Sequence, residues 1–209
     1  MDPRIRTIGS YATQEKYSVN FFGEELIVTV TPDPSVIGQW IHDVLSNNRF
    51  SSHPLVVGVG VQWTPPGYYS DSPPVNHNSD SSSGGYCTIL RRIHSSYALA
   101  IDDARKLERS RHELEIDDLL DLRKYVEDSR GRRSLMRCSF SAGSTHVRGV
   151  LMHRGIVEEC LGYRGVRLDR EISMSDWSAY DLCDDQILQA SIDVHVCFKL
   201  GVKYRLWKV

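Results

Sequence analysis

Several features that would mark a specialised class are missing from this 209-residue sequence. No apolar run approaches the length of a membrane span. The opening stretch, MDPRIRTIGSYATQEKY, lacks the apolar core of a secretory signal. Cytosol or nucleus is therefore the expected compartment, and no membrane partner is expected. The five cysteines, Cys87, Cys138, Cys160, Cys183 and Cys197, form no CxxC pair. An odd number without metal spacing predicts free or buried thiols in a reducing compartment. None of the eight histidines has the HxxxH or HxE spacing of a zinc site. GxSxG, P-loop and GxGxxG signatures are absent too, since GVGVQW has neither a third glycine nor a following helix. A net charge of -2 excludes a polybasic, whole-surface nucleic-acid binder but leaves room for a local basic groove.

What is present reads as a globular α/β chain, with 41% apolar and 25% charged residues. Residues 1–15 are polar and are expected to form a flexible N-terminus, followed by one domain over 16–209. YSVNFF and EELIVTVT predict two strands joined at Gly23 as a hairpin. In PDPSVIGQWIHDVLSNN, Asp33 can cap and Pro34 suits the first helical position. Val36, Ile37, Trp40, Ile41, Val44 and Leu45 then recur at helical spacing up to about Asn47–Asn48. LVVGVGVQW alternates strictly, with Leu55, Val57, Val59, Val61 and Trp63 on one face. Its other face carries Val56, Gly58, Gly60 and Gln62, which is nearly bare. Residues 64–85 are rich in Pro, Ser, Gly and Asn and predict a flexible low-complexity loop. Cys87–Ile101 offers material for one or two strands, and Asp102–His112 reads as a short charged helix. LEIDDLLDLRKYVEDS predicts a brief strand, a turn and a helix start, and IVEECLGY a helix. The longest helix follows, capped by Asp184 or Asp185, with Ile187, Val194 and Phe198 beside Leu188, Ile192 and Val196. The alternation of elements predicts α/β with a mixed sheet.

Candidate chemistry is sparse. Asp193 lies inside that apolar helix, where a carboxylate needs a partner or an ion. Gln189 is one turn earlier on the same face, and Gln186 further back. An Asp that caps a loop or pairs with Arg or Lys is the alternative. Asp102 and Asp103 open a charged helix, where dipole stabilisation is the ordinary explanation. Arg130, Arg132 and Arg133 belong to the densest positive stretch, a phosphate-contacting loop or a disordered basic segment.

Three stretches together resemble the plant Werner-syndrome-like 3′–5′ exonucleases. LVVGVGVQW resembles their first motif, with Gly60 and Gln62 at the places of an Asp and a Glu. DARKLERSRHELEIDDLLDLRKYV resembles the second, with Asp103 at its acid. ISMSDWSAYDLCDDQILQASIDVHVCFKLG resembles the third through its Met-Ser-x-Trp signature, with Gln189 at a Tyr place and Asp193 at the Asp place. Within that family the chain is most similar to the RISC-interacting clearing 3′–5′ exoribonucleases, at YSVNFFGEELIVTVTP, VVGVGVQWTP and the C-terminal block. The resemblance implies a DnaQ-like, ribonuclease-H-related fold and 3′-end trimming of single-stranded RNA associated with Argonaute. It also implies Mg²⁺ or Mn²⁺ held by Asp103 and Asp193.

Such enzymes hold two divalent ions on four carboxylates. Residues two apart share a strand face, which is why the first motif is acid-x-acid. Here glycine offers no ligand and a carboxamide no charge. Three readings follow: an exoribonuclease with a weakened, one-metal or intersubunit site; an inactive relative that binds RNA or docks on Argonaute; or a misassembled gene product. Two departures favour the last. The 64–85 stretch cannot supply the two strands and helix the family has there, and residues 141–155 look inserted. Missing strands would leave LVVGVGVQW with an unpaired edge, so self-association into a homo-oligomer is expected. Gly58 and Gly60 either admit another chain or a nucleic-acid backbone, or make room for the helix of Asp193.

Overall fold

The computed structural model describes residues 3–50, 55–64, 85–90, 97–98, 119–120, 122, 125–127, 154–166, 169–179 and 181–208. It is a mixed α/β protein whose strands divide between two sheets. The expected mixed sheet is one of the two, and the other is wholly antiparallel.

The first sheet is antiparallel, ordered β1 (Arg4–Tyr11), β2 (Gln14–Phe21), β3 (Glu24–Val30). The turn between β2 and β3 is made by Phe22 and Gly23, with φ of 50° and 82°. Positive φ at both central residues is what a tight hairpin with right-twisted strands requires. β1 overturns the expected flexible 1–15 segment. RIRTIGSY pairs with β2 from Arg4↔Asn20 to Tyr11↔Gln14, with its register shifted between Thr7 and Gly9. As an edge strand it is solvated on much of both faces, so its sequence carries no clean alternation. On β2 and β3, Tyr17, Val19, Phe21, Leu26 and Val28 are buried.

Helix α1 (Pro34–Asn48) begins as its sequence predicts: Asp33 is the N-cap and its Oδ1 accepts from the Ser35 N–H at 2.8 Å. Its apolar face is less buried than expected. Val44 is the buried residue of this helix, whereas Ile37, Ile41 and Leu45 are exposed. The main core lies along another helix, and no α1 residue belongs to it.

The second sheet has the order β5-β4-β6-β7, from β4 (Val57–Trp63), β5 (Gly85–Leu90), β6 (Tyr97–Ala98) and β7 (Leu119–Leu120). β5 is antiparallel to β4 and runs from Gly58↔Leu90 to Trp63↔Gly85. β6 is parallel to β4, and β7 is parallel to β6. β4 is therefore paired with β5 along Gly58–Trp63 and with β6 at Val57 and Gly58, so the expected bare edge is filled at those two residues on the β6 side. The Cys87–Ile101 stretch does contain strand material, as read. Of the 64–85 loop, Thr64 and Gly85 are described, and Gly85 opens β5. The expected helix over Asp102–His112 lies outside the described residues.

Helix α2 (Arg154–Leu161) starts two residues before the expected Ile156 and takes in Arg154 and Gly155, the last two residues of the 141–155 stretch; residues 141–153 lie outside the described ones. A short α3 (Arg170–Ser173) precedes α4 (Asp184–Lys203), the longest described helix. Cys183 is the N-cap of α4, in place of the expected Asp184 or Asp185, which sit in its first turn near the positive end of the helix dipole. Gln186 Oε1 accepts from the Cys183 N–H at 3.0 Å. The predicted stripe of Ile187, Ile192, Val194, Val196 and Phe198 is buried. α4 is apolar on so much of its circumference because it has two packing partners. Its His195 ring meets Phe21 of the first sheet edge-on at 5.8 Å, while Val194 and Phe198 lie against the glycines of β4.

Candidate functional site

Gln62 and Asp193 meet inside this helix–strand interface. Alternation along β4 turns Gly58, Gly60 and Gln62 to one side, and that side faces α4. A Cβ on Gly58 would lie 2.3 Å from the Val194 carbonyl oxygen and 2.8 Å from the Phe198 amide nitrogen. Both are backbone atoms, so only glycine permits this approach. On Gly60 the nearest atom would be Val194 Cγ2 at 3.1 Å. The bare face thus exists to seat α4. Of the two alternatives for these glycines, room for the helix of Asp193 holds at Gly58, and an open face for another chain or a nucleic-acid backbone does not.

With the helix pressed on the strand, the Gln62 Nε2 amide donates to Asp193 Oδ2 at 2.8 Å. Both residues are buried. Asp193 Oδ1 is buried as well, and has no hydrogen-bond partner among the described residues. Burial pushes the Asp193 carboxyl up to about 7, and the Gln62 hydrogen bond opposes that rise. A charge-assisted bond favours the ionised form, but one amide replaces little of the hydration a carboxylate loses on burial.

The neighbouring glutamines have structural partners. Gln189 accepts from the Asp169 N–H at 3.1 Å and donates to Ser173 Oγ at 2.5 Å. It ties α3 to α4. Gln186 donates to Ser175 Oγ and to the Asp176 carbonyl, each at 2.9 Å. Trp177, fully buried, donates its indole N–H to the Ser173 carbonyl at 3.3 Å. The Met-Ser-x-Trp signature is a loop fastened to the first two turns of α4. Sequence reasoning missed one partner there. Thr64, two residues beyond Gln62 on the same side of the chain, donates to Asp176 Oδ1 at 3.1 Å. The same oxygen accepts from Ser178 N–H and Oγ at 2.9 and 2.6 Å. The i, i+2 spacing of Gln62 and Thr64 was a readable signal; the 112-residue separation of Thr64 from Asp176 hid the contact.

On the far side of α4 lies a second polar cluster. Lys199 Nζ donates to Glu24 Oε1 at 2.5 Å, and Tyr163 OH donates to that oxygen at 3.4 Å. His195 Nε2 is 3.8 Å from Glu24 Oε2. This cluster anchors the start of β3 to α4.

Of the sequence-predicted site residues, Gly60, Gln62, Gln189 and Asp193 are described. Gln62 and Asp193 touch, Gly60 lies beside Val194, and Gln189 points into the α3 contact. Asp103, Arg130, Arg132 and Arg133 lie outside the described residues. Among the described residues no group of three His, Cys, Asp or Glu side chains could hold a metal ion. The Gln62–Asp193 pair leaves one carboxylate oxygen, Asp193 Oδ1, without a hydrogen-bond partner among the described residues, and that oxygen is buried. The described residues of this half of the site therefore do not fit a metal ion by themselves. No described helix is long and apolar enough to cross a membrane. Comparison of the chain with protein-family models, curated proteins and solved structures finds no match.

Proposed function

We propose that the chain is a 3′–5′ exoribonuclease-related protein, with a ribonuclease-H-like fold, that engages the 3′ ends of single-stranded RNA where β4 meets α4. One observation carries the reading. Gln62 and Asp193, which the resemblance assigns to a single centre, are 131 residues apart in sequence and 2.8 Å apart in space. The mixed pairing of β4, antiparallel on one side and parallel on the other, supports it as well. Hydrolysis in this reading depends on Mg²⁺ or Mn²⁺, with Asp103 and Asp193 as the protein's carboxylates. Substrate phosphate, water or a second subunit supplies what Gly60 and Gln62 do not. Argonaute is the protein partner that the resemblance adds.

A second reading is a non-catalytic RNA-binding relative. The observation in its favour is the Gln62 amide, which occupies an oxygen that the catalytic family uses for metal. Purified full-length chain incubated with 5′-labelled single-stranded RNA and Mg²⁺ or Mn²⁺ separates the two. Shortening from the 3′ end that disappears in Asp103→Ala supports hydrolysis. Binding without shortening supports the second reading. Neither binding nor shortening overturns both.

A further inference from the structure

We propose that the solvated face of the first sheet, where β1 and β2 gather Arg4, Arg6, Lys16 and Tyr11, binds single-stranded nucleic acid. A base stacks on Tyr11 and the cations hold phosphates. The proposal does not rest on the exonuclease reading. The other face of this sheet carries Tyr17, Val19 and Phe21 into the core that α4 shares. By alternation Gln14, Lys16, Ser18 and Asn20 are turned away from α4 and from the Gln62–Asp193 pair.

The register shift in β1 assembles this face. Before it, Arg4 and Arg6 pair with Asn20 and Ser18; after it, Gly9 and Tyr11 pair with Lys16 and Gln14. Directly opposed residues share a face. One extra residue therefore turns Tyr11 to the side of the arginines, whereas an unbroken strand would turn it to the core side. Gly9 then lets the ring lie across the strand, since a Cβ there would stand 2.9 Å from Tyr11 Cε2. Held in this way, Tyr11 is still 58% exposed. Lys16 Nζ sits 5.6 Å from the centroid of its ring.

Charge on this face favours a polyanion. β3 adds Glu25, Ile27 and Thr29, opposite Asn20, Ser18 and Lys16. Glu25 is the one carboxylate in these paired rows, and it accepts from Ser18 Oγ at 2.5 Å and from Arg6 Nη2 at 3.5 Å. Three cations against one carboxylate make a positive face on a chain whose net charge is -2. Cations beside an uncovered aromatic ring suit an unpaired strand, because its phosphates need charge and its bases need a flat surface. A base on the Tyr11 ring brings its own phosphate within reach of Lys16. An acidic peptide or an anionic membrane would use the cations and leave the ring idle.

The test is fluorescence anisotropy of labelled oligouridylate and oligothymidylate with the full chain, in chelator so that no hydrolysis intervenes. Binding of either oligonucleotide, weakening with salt, is expected. Tyr11→Ser should lose roughly fivefold or more in affinity at an unchanged salt slope, and Tyr11→Phe should keep the wild-type affinity. Arg4→Ser with Lys16→Ser should weaken binding and flatten the log–log salt slope by about 0.7 for each cation removed. Arg6 is left in place because it also serves Glu25. No binding of either oligonucleotide, or binding indifferent to Tyr11→Ser or to the cation pair, would overturn the proposal. So would polyglutamate or anionic phospholipid vesicles bound with the same dependence on Tyr11. Near-UV circular dichroism checks folding, and if Tyr11→Ser does not fold, the salt slope of the exposed-cation variant still decides. Tyr11-dependent binding without trimming in Mg²⁺ or Mn²⁺ sinks the exonuclease reading alone, whereas trimming with Tyr11-independent binding sinks this proposal alone.

Discussion

Replacing Asp193 by Asn should stabilise the protein at alkaline pH and not at acid pH. The Asp193 carboxyl is raised from 3.8 to about 7, first by burial, with the Gln62 bond opposing. Below about pH 4 the carboxyl is protonated in both folded and unfolded chains and costs nothing. Between about pH 4 and 7 the unfolded chain releases the proton while the folded chain keeps it, so stability falls as pH rises. Above about 7 the penalty is constant. At roughly 1.4 kcal/mol per tenfold change in acidity, the whole excursion is worth about 4 kcal/mol. Asn is isosteric and neutral, and its carbonyl can accept from Gln62 Nε2. Its own amide, however, points where Oδ1 was buried without a partner, at a cost of about 1–3 kcal/mol. The variant should therefore be no more stable than wild type at pH 4.5 and more stable at pH 8, with the difference changing by about 3 kcal/mol between them. Urea unfolding in the presence of a chelator, followed through the fluorescence of the buried Trp177, measures it. Glu25 and Asp33 are held below their ordinary values, by Ser18 and by Ser35. Their contribution is lost as pH falls through those lowered values, equally in both proteins, and cancels in the difference. A difference that stays flat from pH 4.5 to 8 would refute the buried, near-neutral carboxyl.

Gly58 and Gly60 should respond very differently to the same added methyl. Gly58→Ala drives a Cβ against backbone atoms at 2.3 and 2.8 Å and should cost at least about 3 kcal/mol or abolish the cooperative transition. Gly60→Ala meets only a valine methyl at 3.1 Å and should cost about 1 kcal/mol; thermal melts of the two variants make the comparison. Lys199→Met removes the 2.5 Å bond to Glu24, a pair whose side chains are 25% and 28% exposed. A loss of about 1 kcal/mol is expected in urea unfolding, and a shift in ionic strength should change the wild-type value more than the variant's.

The elements with one wet face and one dry face were legible from sequence. The β2–β3 hairpin, the cap of α1, the alternation of β4 and the apolar bulk of α4 each follow from local periodicity. β1 was not, because RIRTIGSY at a sheet edge is solvated on much of both faces and displays no period. The α1 stripe shows the converse: helical spacing places Ile37, Ile41 and Leu45 in line, but spacing says nothing about whether a partner lies opposite. The candidate site was legible as a set of positions, and Gln62 and Asp193 do meet. Their state was not legible, because the amide direction, the orphaned Oδ1 and the raised acidity constant arise from a helix–strand separation that no single stretch encodes.

That separation explains why residue 62 decides the character of the site. Two glycines bring α4 so close to β4 that whatever follows them on the same face must face the helix. A glutamate there would lie against Asp193, and two carboxylates in a buried space cannot both ionise without a cation between them. Without a cation, one of the two would have to keep its proton. Glutamine is nearly the same size but reverses one partner from acceptor to donor, so helix and strand close without an ion. The cost is retained in Asp193, which gives up its charge below about pH 7. Closure of helix on strand without an ion is thus the result of one exchange of oxygen for an amide, and Gln62→Glu should reverse it: lower stability than the wild type in chelator at neutral pH. A Gln62→Glu chain as stable in chelator as the wild type would break that link.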